Sequence, residues 1–224
     1  MKIRKGIRIP ILIFSLIGII ISMYSLQQRI DRIKLETRTI EDLKYLPSGK
    51  FIKPAALGFD ELLADLLWIK AVTYFGGHYL TDKQYNWLYH ILDITTTLDP
   101  RFEYAYEFGG IILSIEANQI KESVALLKKG IENHPKEWKL PFLLGFIHFY
   151  YLNDYKLAAH YIEKASLLPN RPDFLPGLAA TFYTKAHTPE LGVEFLTMVY
   201  NSTNDERVRK NIEKKIREII SGSK

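Results

Sequence analysis

Cysteine is missing from all 224 residues. Its absence excludes disulfides, thiolate metal sites and a cysteine nucleophile, and leaves the redox compartment open. An excess of one charge is scarce too. The net charge is +5, but Lys2, Arg4, Lys5 and Arg8 stand together at the start. The remainder is near neutral, so the basic balance points to a membrane flank rather than nucleic acid. Catalytic signatures are absent as well: no HExxH and no GxSxG occur. Ser48-Gly49-Lys50 lacks the first glycine and the following Ser/Thr of a phosphate loop. His90 and Asp93 stand one turn apart without a third metal ligand. Asp60, Glu61 and Asp65 are explained by capping and the helix dipole. No run alternates apolar and polar residues for long enough to make a sheet. We therefore expect no enzyme, cofactor, bound metal or small-molecule substrate.

What is present is apolar and helical. The chain is 47% hydrophobic and 25% charged, enough to fill a core and keep a wet surface. Ile9 to Leu26 reads IPILIFSLIGIIISMYSL without a charge. As a helix that run spans about 27 Å, close to the hydrocarbon thickness of a bilayer. Ser22-Met23-Tyr24-Ser25 lacks the small-x-small spacing of a cleavage site, so we expect an uncleaved signal-anchor. Its short basic tail is hard to translocate. That places the N-terminus inside and the rest on the extracytoplasmic, periplasmic side of a single-pass inner or cell membrane protein.

Beyond the anchor, residues 27–44 continue as a polar stalk, and the two prolines and glycine of 45–55 mark a linker. From Leu57 the apolar residues recur every three or four positions. Asp60 caps the first of these helices and Gly76-Gly77 ends it. Helices are expected over about 82–98, 101–117, 120–133, 137–152, 155–167, 173–187, 189–201 and 205–220.

A period runs through them. Pro100, Pro135 and Pro169 each close a helix. Gly110, Gly145 and Ala179 recur in the first helix of each unit. Ser123, Ala158 and Gly192 recur early in the second, and Gly130, Ala165 and Val199 follow seven residues later. Small side chains are needed where antiparallel helices approach closely and the next pair nests on them. This pattern resembles the tetratricopeptide repeat. Three units cover 101–204, and 57–100 is a divergent fourth. The family's early tryptophan is missing in phase.

The expected fold is all-α: a transmembrane helix followed by a tetratricopeptide-like solenoid of helical hairpins. Its parts are a basic tail (1–8), an anchor (9–28), a stalk and linker (29–56), a solenoid (57–204) and a capping helix (205–224). In the family the first helix of each unit lines a concave groove. The resemblance therefore implies Tyr104, Glu107, Lys139, Phe142, Phe149 and Tyr150 as partner-binding groove residues. The implied function is a cell-envelope scaffold for other proteins or peptide segments, lipid-bound through 9–28. The alternative is a non-catalytic subunit of an enzyme or of a secretion, pilus or cytochrome-maturation machine. The topology predicts that a C-terminal alkaline phosphatase fusion is active and a C-terminal GFP dark. The reverse pair of readings rejects the orientation.

Overall fold

The computed structural model describes the backbone of residues 5–36 and 46–222, and side chains of 14–29 and 46–222. It divides into two units, Met1–Leu46 and Pro47–Lys224. The basic tail 1–8 and the stalk positions 30–45 lie outside the described side chains.

In the first unit, helix α1 runs unbroken over Lys5–Glu36, through the expected anchor and into the expected stalk. Its described side chains, Phe14 to Arg29, are all exposed. Among the described residues, no helix is long and apolar enough to cross a membrane. Residues 9–13 of the expected span lie outside the described side chains.

The second unit contains α2 (Gly49–Ala55), α3 (Asp60–Tyr79), α4 (Leu88–Leu98), α5 (Glu103–Ile115), α6 (Ile120–Asn133), α7 (Lys139–Tyr150), α8 (Tyr155–Ser166), α9 (Leu175–Lys185), α10 (Pro189–Ser202) and α11 (Glu206–Gly222). No strand occurs among the described residues. The pairs α3/α4, α5/α6, α7/α8 and α9/α10 are hairpins, and α11 packs on the last of them. Successive hairpins join through α6 on α7 and α8 on α9. First helices also touch first helices, α5 on α7 and α9 on α11. This is the neighbour-only packing of a solenoid.

Each small-residue column is buried where helices meet. A Cβ on Gly110 would lie 2.6 Å from the Leu127 side chain, and one on Gly145 would lie 2.8 Å from Ile162. On Gly130 it would lie 2.9 Å from the Tyr106 ring, and on Gly192 3.1 Å from the Ala180 carbonyl. Ala158, Ala165 and Ala179 are fully buried. Ser123 is not merely small: its Oγ donates to the Gly110 carbonyl at 2.7 Å, tying one column to another.

A further column lies in the backbone. Lys83, Asn118, Asn153 and His187 all take positive φ, from 52° to 59°. Each sits in the turn inside its hairpin, at spacings of 35, 35 and 34. The N–H groups of Gln119, Asp154 and Thr188 turn back to the carbonyls of Leu113, His148 and Tyr183. Asparagine tolerates the left-handed region better than most residues. Lys83 shares this column, so α3/α4 is a unit of the same array.

Four sequence expectations are corrected. Residues 49–55 are not linker but α2, which packs on α4. Gly49 is buried there, and a Cβ on it would lie 2.6 Å from Thr97. Pro54 lies inside this helix, one residue before its end. Gly76-Gly77 does not end α3, which runs on to Tyr79. The stop comes at the Lys83 turn, where Lys83 N–H donates to the His78 carbonyl at 2.8 Å and His78 meets Asp82 at 2.5 Å. Asp60 is the first helical residue rather than the cap, which is Phe59. The second helix begins at Leu88, because 80–87 form a turn around buried Tyr85.

Two predictions follow from this packing, both for residues 47–224. Ala158→Leu forces a larger side chain against the Gly145 backbone and should cost about 1–3 kcal/mol, read as a lowered urea midpoint. His148 on α7 is 6% exposed and stacked on Tyr161 of α8. Burial pushes its imidazole below the usual range. The Asp154 carboxylate opposes the shift and the Lys128 ammonium on α6 adds to it. The folded state thus disfavours the charged His148 imidazolium, while the unfolded chain binds a proton below pH about 6.5. Stability is fully present above that pH and declines as pH falls, by at most about 1.4 kcal/mol per unit for one proton. His148→Phe should flatten the fall in urea midpoint between pH 7.5 and 5.5; an unchanged slope rejects the assignment.

Candidate functional site

The first helices α3, α5, α7 and α9 stand in sequence, and the contacts between them decide which side chains remain free. At the α3–α5 joint, Trp68 lies 5.3 Å from Phe102 and 5.1 Å from Phe108, and Phe75 lies 5.6 Å from Phe108. At the α5–α7 joint the contact is ionic. Lys139 Nζ lies 2.8 Å from Glu107 Oε1 and 3.7 Å from Glu103 Oε1. The Lys139 amide donates to Glu137 at 3.1 Å. Glu107 leads the neighbours that raise the Lys139 ammonium above its ordinary range, with burial opposing. At the α7–α9 joint Phe149 stacks on Phe182 at 4.7 Å, and the Lys185 ammonium lies 5.1 Å over the Phe149 ring.

The six expected groove residues divide into two kinds. Glu107 and Lys139 are brought together as the ion pair. Phe142 rests beside Trp138 and against the core of the last two hairpins. Phe149 fills the α7–α9 joint and also meets Tyr155. These four are half-buried. Tyr104 and Tyr150 are open, at 69% and 62% exposure. Tyr150 stacks on Phe146, with rings 5.6 Å apart and 9° from parallel.

Three exposed residues outside the six share this register: Ile111, Ile115 and Phe146. Ile111 and Phe146 are 35 apart, as are Ile115 and Tyr150, so the period that located Tyr104 and Lys139 also marks them. The resulting strip carries Tyr104, Ile111 and Ile115 on α5 and Phe146 and Tyr150 on α7. Its polar element is a carboxylate group: oxygens of Glu103, Glu107 and Glu137 lie within 4.8 Å of one another. They could ligate a cation in principle, but the Lys139 ammonium sits among them. We read the group as an ion-pair network with acidic excess. Between α9 and α11 an apolar hollow of about 490 Å³ is lined by Phe174, Pro176, Leu196, Val208 and Ile212, with Lys215 beside them.

The His90–Asp93 pair is otherwise engaged. Lys129 of α6 donates to the Asp93 carboxylate at 2.8 Å and to Thr97 at 2.7 Å, which makes Asp93 an interhelical brace. Glu61 pairs with Arg101.

The chain matches no family model and no curated protein. Among solved structures it is similar to MamA 41-end from Desulfovibrio magneticus RS-1, with 17% identity and a TM-score of 0.43. That match covers 81% of this chain and 97% of that one. It is also similar to a MamA RS-1 ArsTM double mutant, with 16% identity and a TM-score of 0.44, covering 89% and 95%. Likeness at this level carries no argument; the hairpin array stands on the helices and contacts described above.

The division of the six residues predicts different costs of truncation. Phe149→Ala empties a joint between two hairpins and should destabilise residues 47–224 by about 2–4 kcal/mol. Tyr150→Ala, one residue on, should stay within about 1 kcal/mol. Comparable losses of melting temperature in the two variants would contradict the placement.

Proposed function

We propose that this chain is a membrane-anchored scaffold that holds a segment of another protein along the outer strip of α5 and α7. One observation carries the reading. Tyr104, Ile111, Ile115, Phe146 and Tyr150 are exposed together in one register of adjacent first helices. Contiguous apolar surface of this kind marks interaction sites, and tyrosine is enriched among residues that dominate binding energy. The Glu103–Glu107–Glu137 group beside the strip adds a charge preference at its edge.

The anchor rests on the uncharged run from Ile9 to Leu26, the basic residues before it, and the continuity of α1 from Lys5 through that run. A domain on the extracytoplasmic side is the orientation these features favour. The role is binding rather than catalysis: the Asp93–Lys129, Glu61–Arg101 and Glu107–Lys139 pairs each brace one element against another. Support of an enzyme or assembly machine remains the same activity with a different partner.

The test is retention of partners by full-length protein extracted in detergent, quantified by mass spectrometry. Tyr104→Ala with Tyr150→Ala should keep the melting temperature and lose a specific partner, each true anchor contributing about 2 kcal/mol or more. Retention of every partner by a folded double variant removes the strip from consideration. Phe174→Ala, at the hollow beside α11, serves as the comparison.

A further inference from the structure

Helix α3 (Asp60–Tyr79) has two apolar sides. One faces its own domain: Ala64 and Ala71 are fully buried, and Trp68 and Phe75 pack on α5. The other faces outward. Phe59, Leu62, Leu66 and Ile69 are 64%, 55%, 55% and 60% exposed, and Thr73 follows in the same row. Their spacing is three, four, three, four. That is the a/d alternation of a coiled-coil seam, with Phe59, Leu66 and Thr73 at a and Leu62 and Ile69 at d. Ala64 and Ala71 then fall at f, the position that points straight away from a partner helix. The domain body thus lies on the side that leaves the seam open. The Thr73 hydroxyl donates to the Ile69 carbonyl at 2.7 Å, so it brings no unsatisfied group to the seam.

The charges beside the seam select an occupant. In this register Asp65 is at g and Lys70 at e, and both are exposed. In a parallel pair each g residue faces the e residue five positions on in the other helix, so Asp65 meets Lys70 of the second copy, twice by symmetry. In an antiparallel pair g faces g, which sets Asp65 against Asp65. We propose that the exposed face of α3 is a self-association surface, on which two copies pair in parallel through Leu62, Leu66 and Ile69 with Asp65–Lys70 ion pairs on both flanks. The seam is under three heptads long, shorter than self-sufficient coiled coils. The pairing is therefore weak in dilute solution and strengthened wherever copies are held at high local concentration.

The cysteine-free chain allows a direct test. Single Leu66→Cys and Ile69→Cys variants of the full-length protein in detergent should each form disulfide-linked homodimers on mild oxidation, several-fold more than exposed Leu167→Cys. Adding Asp65→Lys should reduce the yield, and Lys70→Asp on top of it should restore it. Yields equal to the Leu167→Cys background overturn the proposal. So does a preference for Leu66→Cys linking to Ile69→Cys over either homodimer, which means antiparallel packing. A third result also overturns it: Leu66→Cys shielded from a polar maleimide in phospholipid nanodiscs holding one copy, which assigns the face to lipid.

Discussion

Everything in the second unit depends on how closely two backbones approach within a hairpin. Ser123 reaches from α6 to the Gly110 carbonyl on α5 at 2.7 Å, which is possible only because Gly110 has no side chain to hold the helices apart. Gly145 plays the same part opposite Ile162 and Ala158, and Gly130 opposite the Tyr106 ring. Interiors packed to this density have no room for another methylene. The hairpin is thereby the rigid element. Its neighbours are stacked on it rather than woven through it.

The aromatic surface is a consequence. When the inward face of a first helix must be small, bulky residues fall to the joints between hairpins or to the outside. Trp68, Phe102 and Phe108 close one joint and Phe149 and Phe182 another, while Tyr104, Phe146 and Tyr150 are left outside. The middle joint between α5 and α7 is ionic. One ammonium faces a group of carboxylates there, in a half-buried setting where such pairs specify geometry more than they stabilise it. Glu107 stands one turn from both Tyr104 and Ile111 on α5, which places the acidic excess next to the apolar residues.

The two ends of the array are finished differently. At the C-terminal end α11 buries Val208, Ile212 and Ile219 and turns its charged side to water, as solenoid caps do. At the other end α3 buries one face and leaves Leu62, Leu66 and Ile69 in the open. A helix apolar on both sides has a second partner to find, and the order of Asp65 and Lys70 around the seam points to a parallel copy.

The helical class, the 34–35 residue period and the small columns were legible in the sequence, because helix contact constrains side-chain volume and volume is written in residue identity. The span of α11 was legible for the same reason, since its apolar residues keep strict helical spacing. The turn column was hidden. Lys83, Asn118, Asn153 and His187 share a φ and not a side chain, so a backbone constraint met by three residue types leaves no pattern to read. Gly76-Gly77 misled because glycine ends a helix only when the following chain turns away, and here the turn waits for Lys83. The site shows the same limit. Phe149 and Tyr150 are adjacent, aromatic and 100° apart on one helix. Residue type cannot separate a joint from a surface; that is decided by where α9 lies, and α9 covers Phe149 and leaves Tyr150 open.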